Sequence, residues 1–279
     1  MVSVNKIAVF MENPLMEGKY GAKLEDFQSE AIRIVNAAAQ NGWPIRIIGC
    51  LAFRIKCPDH VELHKAMGRE VTDIDYVAYY KNQRGIINMF RDDLGYNWIP
   101  PGFARASTLR DLFVNPKTGF KIDVFYDHLD FCHTIEFKGP KRLEVDQPTI
   151  PLAELFLEKM QIVEINAKDF YDLIITFLTY DVSETHDDSI VNGHYIGKLM
   201  SEDWGFYYTV TENIKKFLAF VPKVNQLSDE QKKLVLARMN KLYKIIEDTP
   251  KSKNWHRRAK VGTKKRWFKV VHIMESDRI

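Results

Sequence analysis

Apolar residues recur along the chain with two different periods, and the change of period marks its organisation. Leu24 to Gln40 has the helical spacing, with Phe27, Ala31, Ile34, Val35 and Ala38 near one face. Asn41-Gly42 stops it. Pro44 to Ile48 is a short apolar strand, Gly49 a turn, and Cys50 to Ile55 the start of a helix. A polar stretch, 58–70, is expected to be helical around Val61 to Met67. The segment 71–80 is rich in β-branched and aromatic residues and reads as a strand. Arg84 to Leu94 returns to the helical period, and Trp98 to Gly102 breaks it. Asp111 to Asn115 and Phe120 to Tyr126 read as two strands, joined by the turn Pro116-Lys117-Thr118-Gly119. More strand is expected at 132–138 and 141–145. Earlier, Lys6 to Met11 fits a short strand.

Past Pro148 the pattern is helical throughout. Helices are expected over 152–165, 168–178, 195–200, 204–220 and 229–248, with a polar acidic loop over 181–192. Ser228-Asp229-Glu230-Gln231 opens the last with a capping-box pattern. The expected fold class is α+β, a small mixed sheet flanked by helices and followed by a helical C-terminal region. The segments are 1–23, an extension; 24–148, a mixed domain; 149–250, a helical domain; and 251–279, a basic segment.

Composition narrows the setting. The chain has 279 residues with 46% hydrophobic, 28% charged and a net charge of +3. That suits a soluble protein with a substantial core. No run of eighteen apolar residues is present, so no membrane span is expected. The N-terminus lacks the layout of a signal peptide. Three cysteines, Cys50, Cys57 and Cys132, do not make a disulfide framework, and a reducing cytoplasm is expected. From Pro250 to Val270 there are nine Lys or Arg and no Asp or Glu. Arg257, Arg258, Lys260, Lys264, Lys265 and Arg266 interleave with Trp255 and Trp267, a mix that can hold phosphates and stack bases. The alternative is tryptophans packed on the helical half with cations facing water.

The strand 71–80 carries the chemistry. Side chains alternate along a strand, so Asp73 and Asp75 point the same way, about 6.5 Å apart. With apolar residues on both faces, two carboxylates call for a cation, and hard divalent ions take carboxylate oxygens. If strand 120–126 lies beside strand 71–77, about 4.8 Å away, Asp123 approaches both. Three acids can then hold two metals about 3.5–4 Å apart, an arrangement suited to in-line nucleotidyl transfer. Gly49 between a strand and a helix supplies free N–H groups for a phosphate.

Ile48-Gly49-Cys50-Leu51-Ala52, then Thr72-Asp73-Ile74-Asp75, then Lys121-Ile122-Asp123-Val124 resembles the nucleotidyltransferase superfamily. Leu157-Glu158-Lys159-Met160-Gln161 and Lys168-Asp169-Phe170-Tyr171-Asp172-Leu173 resemble the lysine and Asp-x-x-Asp motifs of its abortive-infection toxins. The likeness covers roughly 24–180. It implies a nucleotidyltransferase fold over 24–148 and transfer of a nucleoside monophosphate from a nucleoside triphosphate to a hydroxyl. Asp73, Asp75 and Asp123 would bind magnesium (or manganese), with Asp123 helping to deprotonate the acceptor. Gly49 and the Cys50 backbone would cradle the triphosphate. Lys159 would contact phosphates, with Asp169 supporting it or the nucleotide. The expected acceptor is an RNA such as tRNA, a protein side chain or a small molecule, and the likeness also implies a toxin with an antitoxin partner. The turn departs from the family's usual Gly-Gly or Gly-Ser, which leaves a catalytically inactive nucleotide- or RNA-binding protein as the alternative.

Other candidates have plainer readings. Lys159 could be an exposed lysine, and Asp169 and Asp172 could line an exposed helix face. His60 and His64 lack metal-ligating companions and read as surface residues. Cys132-His133 reads as a strand residue and its neighbour. His186-Asp187-Asp188 suggests a metal phosphohydrolase only weakly, and reads as a loop.

Overall fold

Residues 24–100 and 109–270 are described by a computed structural model. The sequence expectation for Lys6 to Met11 lies outside these residues. Among the described residues the first helix, α1 (Leu24–Gln40), forms over the expected span, and Phe27, Ala31, Ile34, Val35 and Ala38 are all buried. Strand β1 (Ile45–Ile48) leads directly into α2 (Gly49–Lys56). A short 3-10 turn and α3 (Val61–Ala66) precede β2 (Ile74–Ala78). Helix α4 (Gln83–Asn88) widens into a π turn over Met89–Asp93. Then come β3 (Asn97–Ile99), β4 (Arg110–Val114) and β5 (Lys121–Tyr126).

These strands form one sheet in the order β1-β2-β5-β4-β3. The expected hairpin is present as antiparallel β4 and β5. Strand β2 is antiparallel to β1 and parallel to β5, so β5 reaches its place beside β2 by a crossover. Ile74, Tyr76, Ile122 and Val124 point to one face and are buried there. The Tyr76 hydroxyl donates to the Ala31 carbonyl of α1 at 3.2 Å. Asp75 and Asp123 lie on the other face. The outer edge of β1 is covered: Ile47 N–H donates to Pro148 O at 2.9 Å, and Ile150 N–H to Ile47 O at 3.2 Å.

Two local expectations are corrected, and the break expected at Trp98 takes the form of a strand. Strand β2 begins at Ile74 rather than Val71, which leaves Asp73 in the approach to the strand. Trp98 lies inside edge strand β3, its indole N–H donating to Asp111 at 3.0 Å. Beyond β6 (His128–Asp130) and β7 (Thr134–Glu136), residues 142–144 form a 3-10 turn instead of strand. There Arg142 is buried against Glu154 and cannot sit on a sheet edge.

The second half is helical as expected: α5 (Leu152–Met160), α6 (Ala167–Thr179), α7 (Gly193–Glu202), α8 (Trp204–Phe220), α9 (Asp229–Asp248) and α10 (Lys253–Val261). A small parallel pair, β8 (Val182–Ser183) and β9 (Val191–Asn192), interrupts the loop expected over 181–192. Ser228 and Gln231 make the capping box of α9. All nine residues of α5 are buried, because α2, α6, α7 and α8 surround it. The two halves share one apolar core, running from Phe27 through Phe156 to Ile246. None of the helices among the described residues is long and apolar enough to cross a membrane.

Candidate active site

The turn between β1 and α2 sets the site. Gly49 has a φ of +71°, where L side chains are strained. A Cβ there would come within 2.8 Å of Asp75 Oδ2, so glycine allows the carboxylate to lie against the backbone. Register explains the closeness, since Ile48 stands opposite Asp75 in the antiparallel ladder. The Gly49 N–H donates to Glu158 Oε2 of α5 at 3.1 Å.

Asp75 and Asp123 are direct partners in the parallel ladder. Asp73 is exposed and accepts from the Thr72 hydroxyl at 3.2 Å. Burial pushes the Asp75 carboxyl well above the usual carboxylate range; the charges of Asp73, Asp123 and Glu158 push it further, and Arg110 offsets part of this. Asp123 is ion-paired with Arg110 of β4, whose guanidinium also lies over the Phe125 ring, 5.0 Å from its centroid. Thus β2 and β5 set Asp75 beside Asp123, while Asp73, just ahead of β2, reaches Asp75 through its charge alone. Glu158 is a fourth acid of the cluster around Asp75, with no role assigned to it by the sequence motifs.

Next to this cluster lies a buried charge network. Lys159 is buried with its Nζ 3.2 Å from Glu158 Oε1, 3.2 Å from Asp172 Oδ2 and 3.9 Å from Asp169 Oδ1. Burial alone would lower the Lys159 pKa; Glu158, Asp172 and Asp169 raise it well above the ordinary value. Asp172 also accepts from Arg69 Nε and from His64 Nε2, both at 2.9 Å. Burial would raise its carboxyl, but Lys159, His64 and Arg69 hold it well below the usual range. Lys159, Asp169 and Asp172 are therefore not on exposed helix faces. His64 is not a surface residue either, being wholly buried. Asp169 has a second role, accepting from the Asn166 N–H at 3.2 Å in the capping box of α6.

Among the described residues, the trio of ligand-type side chains whose atoms all lie within 4.8 Å of one another is Cys50, His64 and Asp172. Their surroundings do not suit a metal. Arg54 Nε donates to His64 Nδ1 at 3.2 Å, so Nε2 carries the proton given to Asp172 and neither ring nitrogen is open. Burial pushes the Cys50 thiol up to about 12, which keeps it protonated. Arg54, Arg69 and Lys159 already supply the positive charge. The trio belongs to the network that joins α2 and α3 to α6. In the Asp73, Asp75, Asp123 and Glu158 cluster the carboxylates outnumber the cations Arg110 and Lys159 that pair with them, but no three of their ligand atoms lie within 4.8 Å of one another.

The basic segment is a folded appendage. The Trp255 ring meets Tyr207 at 5.1 Å, and Trp267 meets Tyr208 at 5.0 Å. Trp267 Nε1 donates to Thr209 at 3.0 Å, and Arg258 lies over Trp204 at 4.7 Å. Both tryptophans therefore pack on α8, while Arg257, Lys260, Lys264, Lys265 and Arg266 are exposed. The Lys269 N–H donates to the Cys132 carbonyl at 2.9 Å, which seats the segment against the β6–β7 hairpin. His133 is outside any strand; it is buried, stacked on Phe206 at 4.8 Å and bonded to Thr209 at 2.8 Å. Asp188 is paired with Arg142, and His186 is bonded through Nδ1 to Asn192, as in a structured loop.

The roles of Glu158, His64, Arg69 and Arg110 emerge only in the fold. For Glu158 a signal exists in the sequence: charged residues at 154, 158 and 159 in a segment with apolar residues on every side must find partners. Comparison with protein-family models, curated proteins and solved structures finds no match to this chain.

Proposed function

We propose that the chain is a magnesium-dependent nucleotidyltransferase, moving a nucleoside monophosphate from a nucleoside triphosphate to a hydroxyl acceptor. The observation that carries this reading is Asp75 standing opposite Asp123 in register, beside a glycine turn that opens a helix. The order β1, Gly49, α2, β2, then a later strand β5 supports a nucleotidyltransferase fold. It is the element order implied by the resembled motifs.

Asp73, Asp75 and Asp123 would hold magnesium or manganese. Bound there, the ion would neutralise phosphate charge and acidify the acceptor hydroxyl. The chain's own groups have separate tasks. The Gly49 and Cys50 N–H groups, at the start of α2, bind phosphate oxygens. Lys159, supported by Asp169 and Asp172, supplies a fixed positive charge to them. Asp123 takes the proton of the acceptor hydroxyl as its oxygen bonds the α-phosphorus. The bond to the bridging oxygen then breaks, and pyrophosphate leaves with that electron pair. RNA or protein is the proposed acceptor class, with the exposed cations of 257–266 available to a polynucleotide. An antitoxin partner and a reducing cytoplasm complete the proposal; the three cysteines are free thiols.

The test is incubation with radiolabelled nucleoside triphosphate and magnesium, with and without Asp73→Ala plus Asp75→Ala. Transfer that survives the double substitution would refute the assignment. A second reading, an inactive binding module, is favoured by one observation: the Gly49 N–H is already accepted by Glu158. Calorimetry that finds metal-independent nucleotide binding, together with no turnover, would support it.

A further inference from the structure

The Glu158 carboxylate is placed unusually for a buried acid. One oxygen accepts the Gly49 N–H at 3.1 Å, and the other lies 3.2 Å from Lys159 Nζ. Those are two of the groups that the proposed reaction needs for its phosphates. One turn earlier on the same helix, Glu154 is also buried, but it has a dedicated partner. Arg142 holds it by a two-point contact, with Nη2 to Oε2 at 3.1 Å. Glu158 instead shares its lysine with Asp169 and Asp172. It also adds to the negative charge around Asp75.

We propose that Glu158 is an internal competitor for the phosphate site: its carboxylate fills the seat in the nucleotide-free protein, and a triphosphate enters by displacing it. This rests on the nucleotidyltransferase reading. A phosphate group presents three acceptor oxygens and more charge than a carboxylate, so it can take both donors and bind them more strongly. Asp169 and Asp172 continue to hold Lys159 in place when Glu158 turns away. The Glu158 side chain retains 9% exposure, and the half-buried Asp75 and Asp123 and exposed Asp73 open the face beside it to solvent. The exchange therefore requires a side-chain rotation on α5 and no movement of the sheet. Its consequence is regulatory: the phosphate-binding groups stay neutralised until an anion of higher charge arrives.

The experiment uses inorganic tripolyphosphate as the probe, with the full chain, without divalent ions and at fixed ionic strength. Calorimetry compares wild type, Glu158→Gln and Glu158→Asp. Glutamine removes the competing charge; aspartate keeps it but falls one methylene short of Gly49. Glu158→Gln is expected to bind at least about tenfold more tightly than wild type, and Glu158→Asp to fall between them. Equal or weaker binding by a folded Glu158→Gln protein would overturn the proposal, as would no binding by any of the three. If Glu158→Gln does not fold, the wild-type Gly49 amide resonance decides. It should move during the titration; tripolyphosphate that binds without moving it refutes the exchange. The nucleotidyl-transfer assay separates this proposal from the enzyme reading. Tighter anion binding without transfer leaves the competitor standing and removes the enzyme reading. Transfer without any difference in anion binding does the reverse.

Discussion

His64 Nε2 donates to Asp172 Oδ1 across 2.9 Å, and neither side chain has any solvent exposure. The two residues are 108 positions apart, one on α3 of the first half and the other on α6 of the helical half. This contact, with Arg69 and Lys159 on the same carboxylate, ties α6 to α3, to the segment that follows α3, and to α5. Asp172→Ala leaves Arg69 and Lys159 facing no charge at that position. The expected loss of stability is about 3–5 kcal/mol, the range for breaking one side of a buried ion network. Urea unfolding measures it; a loss below about 1 kcal/mol, the level of an exposed pair, would show that the network adds little.

Two buried histidines make stability depend on pH. Burial lowers the His133 pKa from 6.5 to about 4, and burial also lowers that of His64. A lowered folded pKa means that the unfolded chain binds protons between about pH 6.5 and 4 while the folded chain does not. Stability from this source is therefore full above pH 6.5 and declines as pH falls toward 4. For His133 the full effect is on the order of 3 kcal/mol. Chemical denaturation at stepped pH should show the decline. His133→Phe, which keeps an aromatic ring against Phe206, should make it shallower; an unchanged slope would contradict the assignment to His133.

The crowding of carboxylates around Asp75 costs stability. Asp75→Asn removes a carboxyl whose ionisation is opposed by burial and by the charges of Asp73, Asp123 and Glu158. In the absence of divalent ions the variant should therefore be more stable than wild type, by about 0.5–2 kcal/mol, while losing transfer activity. The wild-type melting temperature should rise with added magnesium, and that of Asp75→Asn should respond less. A variant less stable than wild type under metal-free conditions would contradict the picture of mutual repulsion.

Much of this arrangement can be read from the chain, and the failures have physical causes. The spans of α1, α8 and α9 follow from helical periodicity because each has one face to bury. The shared face of Asp75 and Asp123 follows from strand alternation and the hairpin that supplies β5. Asp73 falls outside the strand because a strand's first residue depends on its neighbours' ladders. Strands β1 and β5 pair with β2 only from Asp75 and Ile74 onward. The burial of His64 is hidden in the sequence, since its partner is remote and its own helix is polar. Lys159 and Asp172 pose the same difficulty: a charged residue on a helix reads as exposed until its partners are known.

Lys264, Lys265 and Arg266 are exposed, whereas Trp267 anchors the segment to α8. Replacing the three cations with alanine should leave the melting temperature within about 2 °C of wild type, since surface changes cost little. If RNA is the acceptor, the slope of log affinity against log salt should fall by up to about 3, one unit for each cation that no longer meets a phosphate. An unchanged slope would assign RNA binding elsewhere.

The most direct measurement is transfer of label from each of the four α-labelled nucleoside triphosphates to purified acceptors, with magnesium, by wild type and by Asp75→Asn. Acid-stable labelled product and released pyrophosphate are expected with wild type alone. Equal labelling by a folded Asp75→Asn protein, or none by wild type with any triphosphate and a broad set of RNA and protein acceptors, would contradict the nucleotidyltransferase assignment.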